Sequence, residues 1–317
     1  MTIKRAKTKP MISFFCSAPA ALRHLMRALV LLLFTWVIPA IAQSPSPSQI
    51  VHQASSPFYD SIFVVDEGDL RSLRFGSASG DNQSVIRLGH PEQLPMPYLR
   101  AAAVGLAVPA RVRRVLMIGL GGGAFANFAQ AHIPDVDIDA VEIDPVVAKI
   151  AQEYFAVSVG DKLKLHVMDA ARFVQQPRQP YDYILLDAYD ADDIPDALVT
   201  RTFFRGVRAN LASGGVVAVN LAITSQSKSN ALIRKLADHF NYCLHLRSPP
   251  RFNDILLLSQ QPLPEVRELS KAALRFEAAS ESELGLQRYA QTAGPCLGIA
   301  RQAQSTRNEE RALIAGY

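Results

Sequence analysis

Between residues 114 and about 239 the chain repeats one pattern five times: a short apolar run, then a stretch with apolar residues at helical spacing. The runs are RVLMIGL (114–120), VDIDAVEID (136–144), LKLHVMD (163–169), YDYILLD (181–187) and GVVAVNL (215–221). The stretches that follow them are GGAFANFAQAH (122–132), PVVAKIAQEYF (145–155), AARFVQQ (170–176), ALVTRTFFRGVRANL (197–211, closed by Gly214-Gly215) and about 225–239. Apolar runs of this kind read as strands buried on both faces. Strand–helix alternation at this spacing predicts an α/β fold with a Rossmann-like, doubly wound parallel sheet. Ligands of such sheets bind outside the carboxyl ends of the strands, where the strand order reverses.

Each of the first four runs ends in a polar signature. The first leads into Gly119-Leu120-Gly121-Gly122-Gly123, where glycines let backbone approach a ligand and expose helix N-terminal N–H groups. Gly119 to Ala124 also fits the dinucleotide spacing G-x-G-x-x-A. The second run ends in Glu142-Ile143-Asp144. Glu142 follows Gly119 by 23 residues, a spacing that suits an acid accepting both hydroxyls of a ribose, while Asp144 suits a helix N-cap. The third ends in Asp169-Ala170, a carboxylate and a backbone N–H able to hold an adenine edge. The fourth ends in Asp187, the first of a burst that continues with Asp190, Asp192, Asp193 and Asp196. Asp196 reads as the N-cap of the helix beginning near Ala197. One acid at a strand end is commonly a cap. Acids at three successive strand ends, after a glycine turn, point to a nucleoside ligand, and NAD enzymes and S-adenosyl enzymes share that pattern.

The flanks differ in kind. Residues 50–97 read as a small β-rich segment: SIFVVDEGDLRSLRFG (61–76) alternates around Gly68-Asp69, a hairpin signal, and SVIRLG (84–89) adds a strand. YLRAAAVGLAV (98–108) has helical spacing and opens the Rossmann-like catalytic domain, expected over 98–262. That domain closes with YCLHLRS (242–248) and DILLLSQ (254–260), a hairpin near a Pro-Pro turn. Residues 263–317 read as an amphipathic helical tail.

The formal charge of +4 belongs to the first 42 residues, which hold Lys4, Arg5, Lys7, Lys9, Arg23 and Arg27 and no acid. The remainder carries 27 basic and 29 acidic residues, with no basic patch that would argue for nucleic acid as a partner. The basic region precedes the apolar run ALVLLLFTWVIPAIA (28–42), which ends in the cleavage pattern Ala40-Ile41-Ala42. That run is short for a transmembrane helix. Residues 1–42 therefore read as a cleaved export signal, leaving a periplasmic or secreted protein without lasting membrane contact, or as an uncleaved anchor. Translation from Met26 gives a more compact signal, and a cytoplasmic protein is the alternative if the true start lies elsewhere. QSPSPSQ (43–49) reads as a linker. Outside the leader, Cys243 and Cys296 either pair or stay as buried thiols, and no Cys/His spacing suggests a metal site.

Taken together, VLMIGLGGGAF, VEIDP, MDA, YDYILLDAYD and FFRGVRANLASGGVVAVNL resemble the spermidine synthase (polyamine aminopropyltransferase) family, which is built on the class I methyltransferase fold. The resemblance runs over roughly 56–260, with SPFYDSIFVVDE (56–67) similar to the family's opening strand. It implies a transferase of polyamine biosynthesis that uses decarboxylated S-adenosylmethionine as co-substrate and a diamine such as putrescine as acceptor, needs no metal, and assembles as a homodimer or a tetramer. It also implies roles. Gly119, Gly121, Gly122 and Gly123 shape the nucleoside turn, Glu142 binds the ribose, and Asp169 with Ala170 binds the adenine. Asp187 accepts a proton from the attacking amine and Asp190 binds the diamine, with Tyr98, Tyr189 and Asp60 around the substrate.

Several positions depart from the family. Its glycine turn carries an acid where Gly122 stands, its glutamine falls on Asp60, and its histidine after the tyrosine is Leu99. The loop after D-x-x-D reads Ala191-Asp192-Asp193-Ile194-Pro195. Gly122 would leave room for the methionine carboxylate of ordinary S-adenosylmethionine, while Asp60, Asp192 and Asp193 would rebuild a cation site. An S-adenosylmethionine-dependent methyltransferase, an NAD(P)-binding oxidoreductase and a non-catalytic nucleoside- or polyamine-binding protein are the competing readings.

Overall fold

A computed structural model describes residues 48–189, 194–222, 226–237, 239–248 and 253–296. The leader, the start of the linker, Asp190, Asp192 and Asp193 lie outside the described residues. Among the described residues no helix is long and apolar enough to cross a membrane.

Two sheets form the frame. The first is an antiparallel meander of β1 (Gln49–Ala54), β2 (Ile62–Glu67), β3 (Leu70–Phe75) and β4 (Asn82–Arg87). The β2–β3 hairpin closes where the alternation pointed: Glu67 pairs with Leu70 across Gly68-Asp69, and Gly68 takes φ +64. Its inner residues Ile62, Val64, Leu73 and Ile86 join the core beneath the second sheet.

The second sheet holds eight strands. β5 (Arg114–Ile118), β6 (Asp137–Glu142), β7 (Leu163–Val167), β8 (Tyr181–Leu186) and β9 (Leu211–Ala222) are parallel. β10 (Tyr242–Arg247) and β11 (Asn253–Ser259) form the antiparallel hairpin, and β12 (Gly294–Pro295) pairs with β10. The order is β12-β10-β11-β9-β8-β5-β6-β7. The chain therefore leaves β5 toward β6 and β7, then returns to the other side of β5 as β8. The reversal lies between β5 and β8, which aims the crevice at Gly119 and Asp187.

Both faces are covered. Along β8, Tyr183 and Leu185 enter one core while Ile184 and Leu186 enter the other, as period two requires of its apolar run Tyr183–Leu186. Helices α1 (Pro97–Ala103), α2 (Ala124–His132) and α3 (Pro145–Tyr154) share the core of Phe125, Phe128 and Ile150. Helices α4 (Ala170–Phe173), α5 (Arg201–Ala209) and α6 (Gln226–Ala237) serve the opposite core of Phe173, Phe203, Phe204 and Phe240.

The helix expected over 98–108 tightens into a 3-10 turn at Val104–Ala107. At Gly105 a Cβ would meet Tyr183 at 2.8 Å and Leu257 at 2.9 Å, so this turn lies flat on the sheet where only glycine fits. Asp196 does not cap α5. It opens a 3-10 turn (Asp196–Val199), and Thr200, in extended conformation, restarts the helix by accepting from Phe203 N at 3.1 Å. The helix ends at Ala209, before the glycine pair: Gly214 and Gly215 lie within β9.

The tail contributes α7 (Val266–Ser280) and α8 (Leu286–Ala290), which bury Leu269, Ala273, Leu286 and Tyr289 in the α1 side of the core. Cys243 and Cys296 form a disulfide, Cα–Cα 5.6 Å, that ties the segment after β12 back to β10.

Candidate active site

Closure of β5 against β8 depends on Gly119. Asp187 N donates to Ile118 O at 2.8 Å and Gly119 N donates to Val141 O at 2.9 Å, which knits the ends of β5, β6 and β8 together. Gly119 has φ +90, and a Cβ there would lie 2.1 Å from Asp187 O. Any side chain would separate the glycine turn from the acid it faces.

Glu142, at the end of β6, is buried and holds that turn. Its Oε2 accepts from Leu120 N at 3.0 Å and Gly121 N at 3.3 Å, and its Oε1 accepts from Asp144 N at 3.0 Å. Burial pushes its carboxyl up, the three backbone N–H groups oppose that, and the nearby Asp144 charge adds to it. Asp144 is the N-cap of α3: its Oδ1 accepts from Val146 N at 2.8 Å, while Ser56 Oγ donates to its Oδ2 and ties the β1–β2 connection to the site. Asp169 caps α4, accepting from Ala171 N at 2.7 Å, and Ala170 begins that helix.

Asp187 is gripped on both oxygens. Tyr98, on α1, donates its hydroxyl to Oδ2 at 3.1 Å, and Asn220, near the end of β9, donates Nδ2 to Oδ1 at 2.7 Å. Burial raises the Asp187 carboxyl above the ordinary carboxylate range, against those two hydrogen bonds. Burial and the Asp187 charge push the Tyr98 phenol well up, so it stays a donor. Tyr189 donates its hydroxyl to Asn220 O, and its own carbonyl accepts from Tyr59 OH at 3.2 Å. The Tyr59 ring in turn stacks on Phe75 at 3.8 Å.

These residues line one cavity of about 690 Å³. Gly119, Gly121, Glu142, Asp169, Ala170, Asp187, Tyr98 and Tyr189 are all on its wall. Three expected residues are not. Asp60 is exposed and off the wall, because Tyr59 turns inward at the adjoining position. Gly122 and Gly123 lie behind the turn. The space beside Gly122 is already filled: a Cβ would meet Phe155 at 2.7 Å and Ser84 Oγ at 2.8 Å. Asp190 lies outside the described residues.

Asn220, Asn253 and Tyr59 line the cavity and escaped the sequence reading. The signal for Asn220 was present, a polar residue near the end of the fifth apolar run, as Glu142 and Asp187 close theirs. Among the described residues the charged groups on the wall are Asp81, Glu142, Asp169 and Asp187, all acidic.

Residues 101–241 match the family model described as the spermine/spermidine synthase domain. A polyamine aminopropyltransferase of Vibrio vulnificus is 31% identical over 259 residues, which is 79% of this chain and 85% of that protein. Among solved structures, a spermidine synthase in complex with the transition-state analogue AdoDATO superposes with TM-score 0.63 at 17% identity, covering 78% of this chain and 86% of that one, a likeness of fold. Human methyltransferase-like protein 13 in complex with SAH gives TM-score 0.54 at 26% identity, over 59% of this chain and 93% of that one. By its relatives, and by the doubly wound sheet behind its small antiparallel one, this chain belongs to the spermine/spermidine synthase family of transferases.

Proposed function

We propose that this chain moves an aminopropyl group from decarboxylated S-adenosylmethionine to an amine such as putrescine. One observation carries the reading: among the described residues every charged group on the cavity wall is a carboxylate, with Asp187 held between Tyr98 and Asn220. Both co-substrates are cations, and a partly desolvated acidic pocket favours them. Ordinary S-adenosylmethionine brings its own carboxylate, which would face the same four acids with no described Lys, Arg or His on the wall.

The roles follow from the chemistry. Glu142 uses three of the roughly four lone-pair sites of a carboxylate on backbone N–H groups, which leaves acceptor capacity for a ribose hydroxyl. Asp169 and Ala170, at the next strand end, receive the adenine edge. An amine attacks only when unprotonated, so the acceptor attacks as the neutral amine, with one N–H donated to Asp187. The amine nitrogen bonds to the methylene carbon beside the sulfonium. The carbon–sulfur bond breaks, its electron pair neutralises the sulfur, and methylthioadenosine leaves. Asp187 takes the proton from the new secondary ammonium and passes it to solvent. A carboxyl raised above its ordinary range is a stronger base for that step.

Methyl transfer from ordinary S-adenosylmethionine is the second reading. The likeness to human methyltransferase-like protein 13 bound to SAH favours it. Calorimetry separates the two. The aminopropyl reading expects binding of methylthioadenosine and of the decarboxylated donor, with ordinary S-adenosylmethionine weaker. Tight binding of the ordinary donor alone overturns it, and failure of methylthioadenosine to bind overturns both. Residues 1–42 add export to the proposal: a fusion reporter active across the membrane supports it, and one active only in the cytoplasm contradicts it.

A further inference from the structure

We propose that Asn220 is a positioning residue for Asp187, and that Asn253 fixes which end of the Asn220 amide faces that carboxylate. The inference rests on the aminopropyl-transfer reading for its kinetic test and on geometry for everything else.

Asn220 is buried at 3% exposure on β9, with every polar atom of its amide committed. Its Nδ2 donates to Asp187 Oδ1 at 2.7 Å, and its Oδ1 accepts from Asn253 Nδ2 at 3.0 Å. Its backbone carbonyl accepts from the Tyr189 hydroxyl. Asn253 opens β11 and pairs with Ala222, which makes it the diagonal neighbour of Asn220 on the same sheet face.

An asparagine amide is nearly symmetric in shape, so its partners decide its direction. An ionised carboxylate only accepts, so the nitrogen end must face Asp187. A donor at the far end, Asn253 Nδ2, enforces that choice. Turned over, the amide would set its oxygen against Asp187 Oδ1 and leave two acceptors facing each other in a buried site, a costly arrangement. With Tyr98 on Oδ2, the two donors fix the plane of the carboxylate and leave its remaining lone pairs for the substrate amine. Among the described residues, the other titratable groups near Asp187 are Tyr98, Tyr183 and Tyr189, with Glu142 across the glycine turn. The Tyr98 and Tyr183 phenols are pushed well up by burial and by the Asp187 charge, and the Tyr189 hydroxyl donates to Asn220 O.

The test uses the full chain, Asn220→Ala and Asn253→Ala, with aminopropyl transfer followed against pH. Asn220→Ala is expected to lower kcat about 10- to 100-fold, the value of one hydrogen bond to a charged group. The KM for the donor should stay within about 2-fold, and the acid limb of the profile should move to higher pH. Asn253→Ala, at a partly exposed position, is expected to move that limb the same way by a smaller amount. Equal losses in kcat and donor binding, or an unmoved acid limb in both variants, would overturn the proposal and leave Asn220 a structural residue. If the unmodified protein transfers no aminopropyl group, the functional reading falls by itself. Asp187 is then titrated by carbon-13 NMR with labelled aspartate. An upward move of its midpoint in Asn220→Ala upholds the positioning role, and an identical midpoint removes it.

Discussion

The two halves of the cavity are built in opposite ways. On the donor side, over the ends of β5, β6 and β7, each acid is tied to backbone close by in sequence. Asp169 caps the helix it precedes, Asp144 caps α3, and Glu142 spans only 21 and 22 residues to the glycine turn. On the acceptor side the grip on Asp187 comes from Tyr98, 89 residues away, and Asn220, 33 residues away. Tyr59 reaches 130 residues to the Tyr189 carbonyl. Apart from the Ser56 hydroxyl on Asp144, local contacts make the first half a property of the strand–turn–helix unit. The second half exists only once α1, β8, β9 and the small sheet have packed.

That difference predicts how each half breaks. The largest effect belongs to Asp187→Asn, which removes the proton acceptor. Turnover should fall by about 10²- to 10⁴-fold while methylthioadenosine affinity, read by calorimetry, stays within about 2-fold. Parallel losses would place Asp187 in the donor half instead. Gly119→Ala strikes the seam between the halves, since its Cβ would sit 2.1 Å from Asp187 O at φ +90. Denaturant unfolding should show a loss of about 3 kcal/mol or more. A near-neutral result would mean that the seam yields cheaply.

Glu142→Gln is confined to the donor half. The donor KM should rise about 10-fold with little change in kcat, because charge-assisted bonds to the turn and the ribose weaken together. Tyr98→Phe is smaller and confined to the acceptor half. Asp187 works ionised and its carboxyl is raised, so activity disappears as pH falls through a midpoint above the ordinary value of about 3.9. The Tyr98 hydroxyl lowers that midpoint. Its removal should push the acid limb further up and cost about 3- to 10-fold in kcat near that limb, with donor KM unmoved.

The same contrast explains what the sequence disclosed. Strand–helix alternation and strand-end acids are local patterns, so the sheet, the β2–β3 hairpin, the Asp144 cap and the placement of Glu142, Asp169 and Asp187 could be read directly. Asp60 was placed by matching a family position. In the bend before β2, Tyr59 faces the cavity and Asp60 faces solvent. Gly122 looked like vacant space because a sequence cannot show that Phe155 and Ser84 converge there from other elements. Asn220 sits near a legible strand end, but its role, like that of Asn253, depends on partners that packing supplies. The pairing of Cys243 with Cys296 likewise depended on β10 and β12 becoming neighbours.

An acidic cavity with Asp187 fixed at the strand reversal is proposed to transfer an aminopropyl group. The most direct measurement offers the full chain putrescine with decarboxylated or ordinary S-adenosylmethionine and identifies products by mass spectrometry. The account predicts spermidine and methylthioadenosine from the decarboxylated donor, and no methylated amine from the ordinary one. A methylated product with S-adenosylhomocysteine, and no aminopropyl product from the decarboxylated donor, would contradict it.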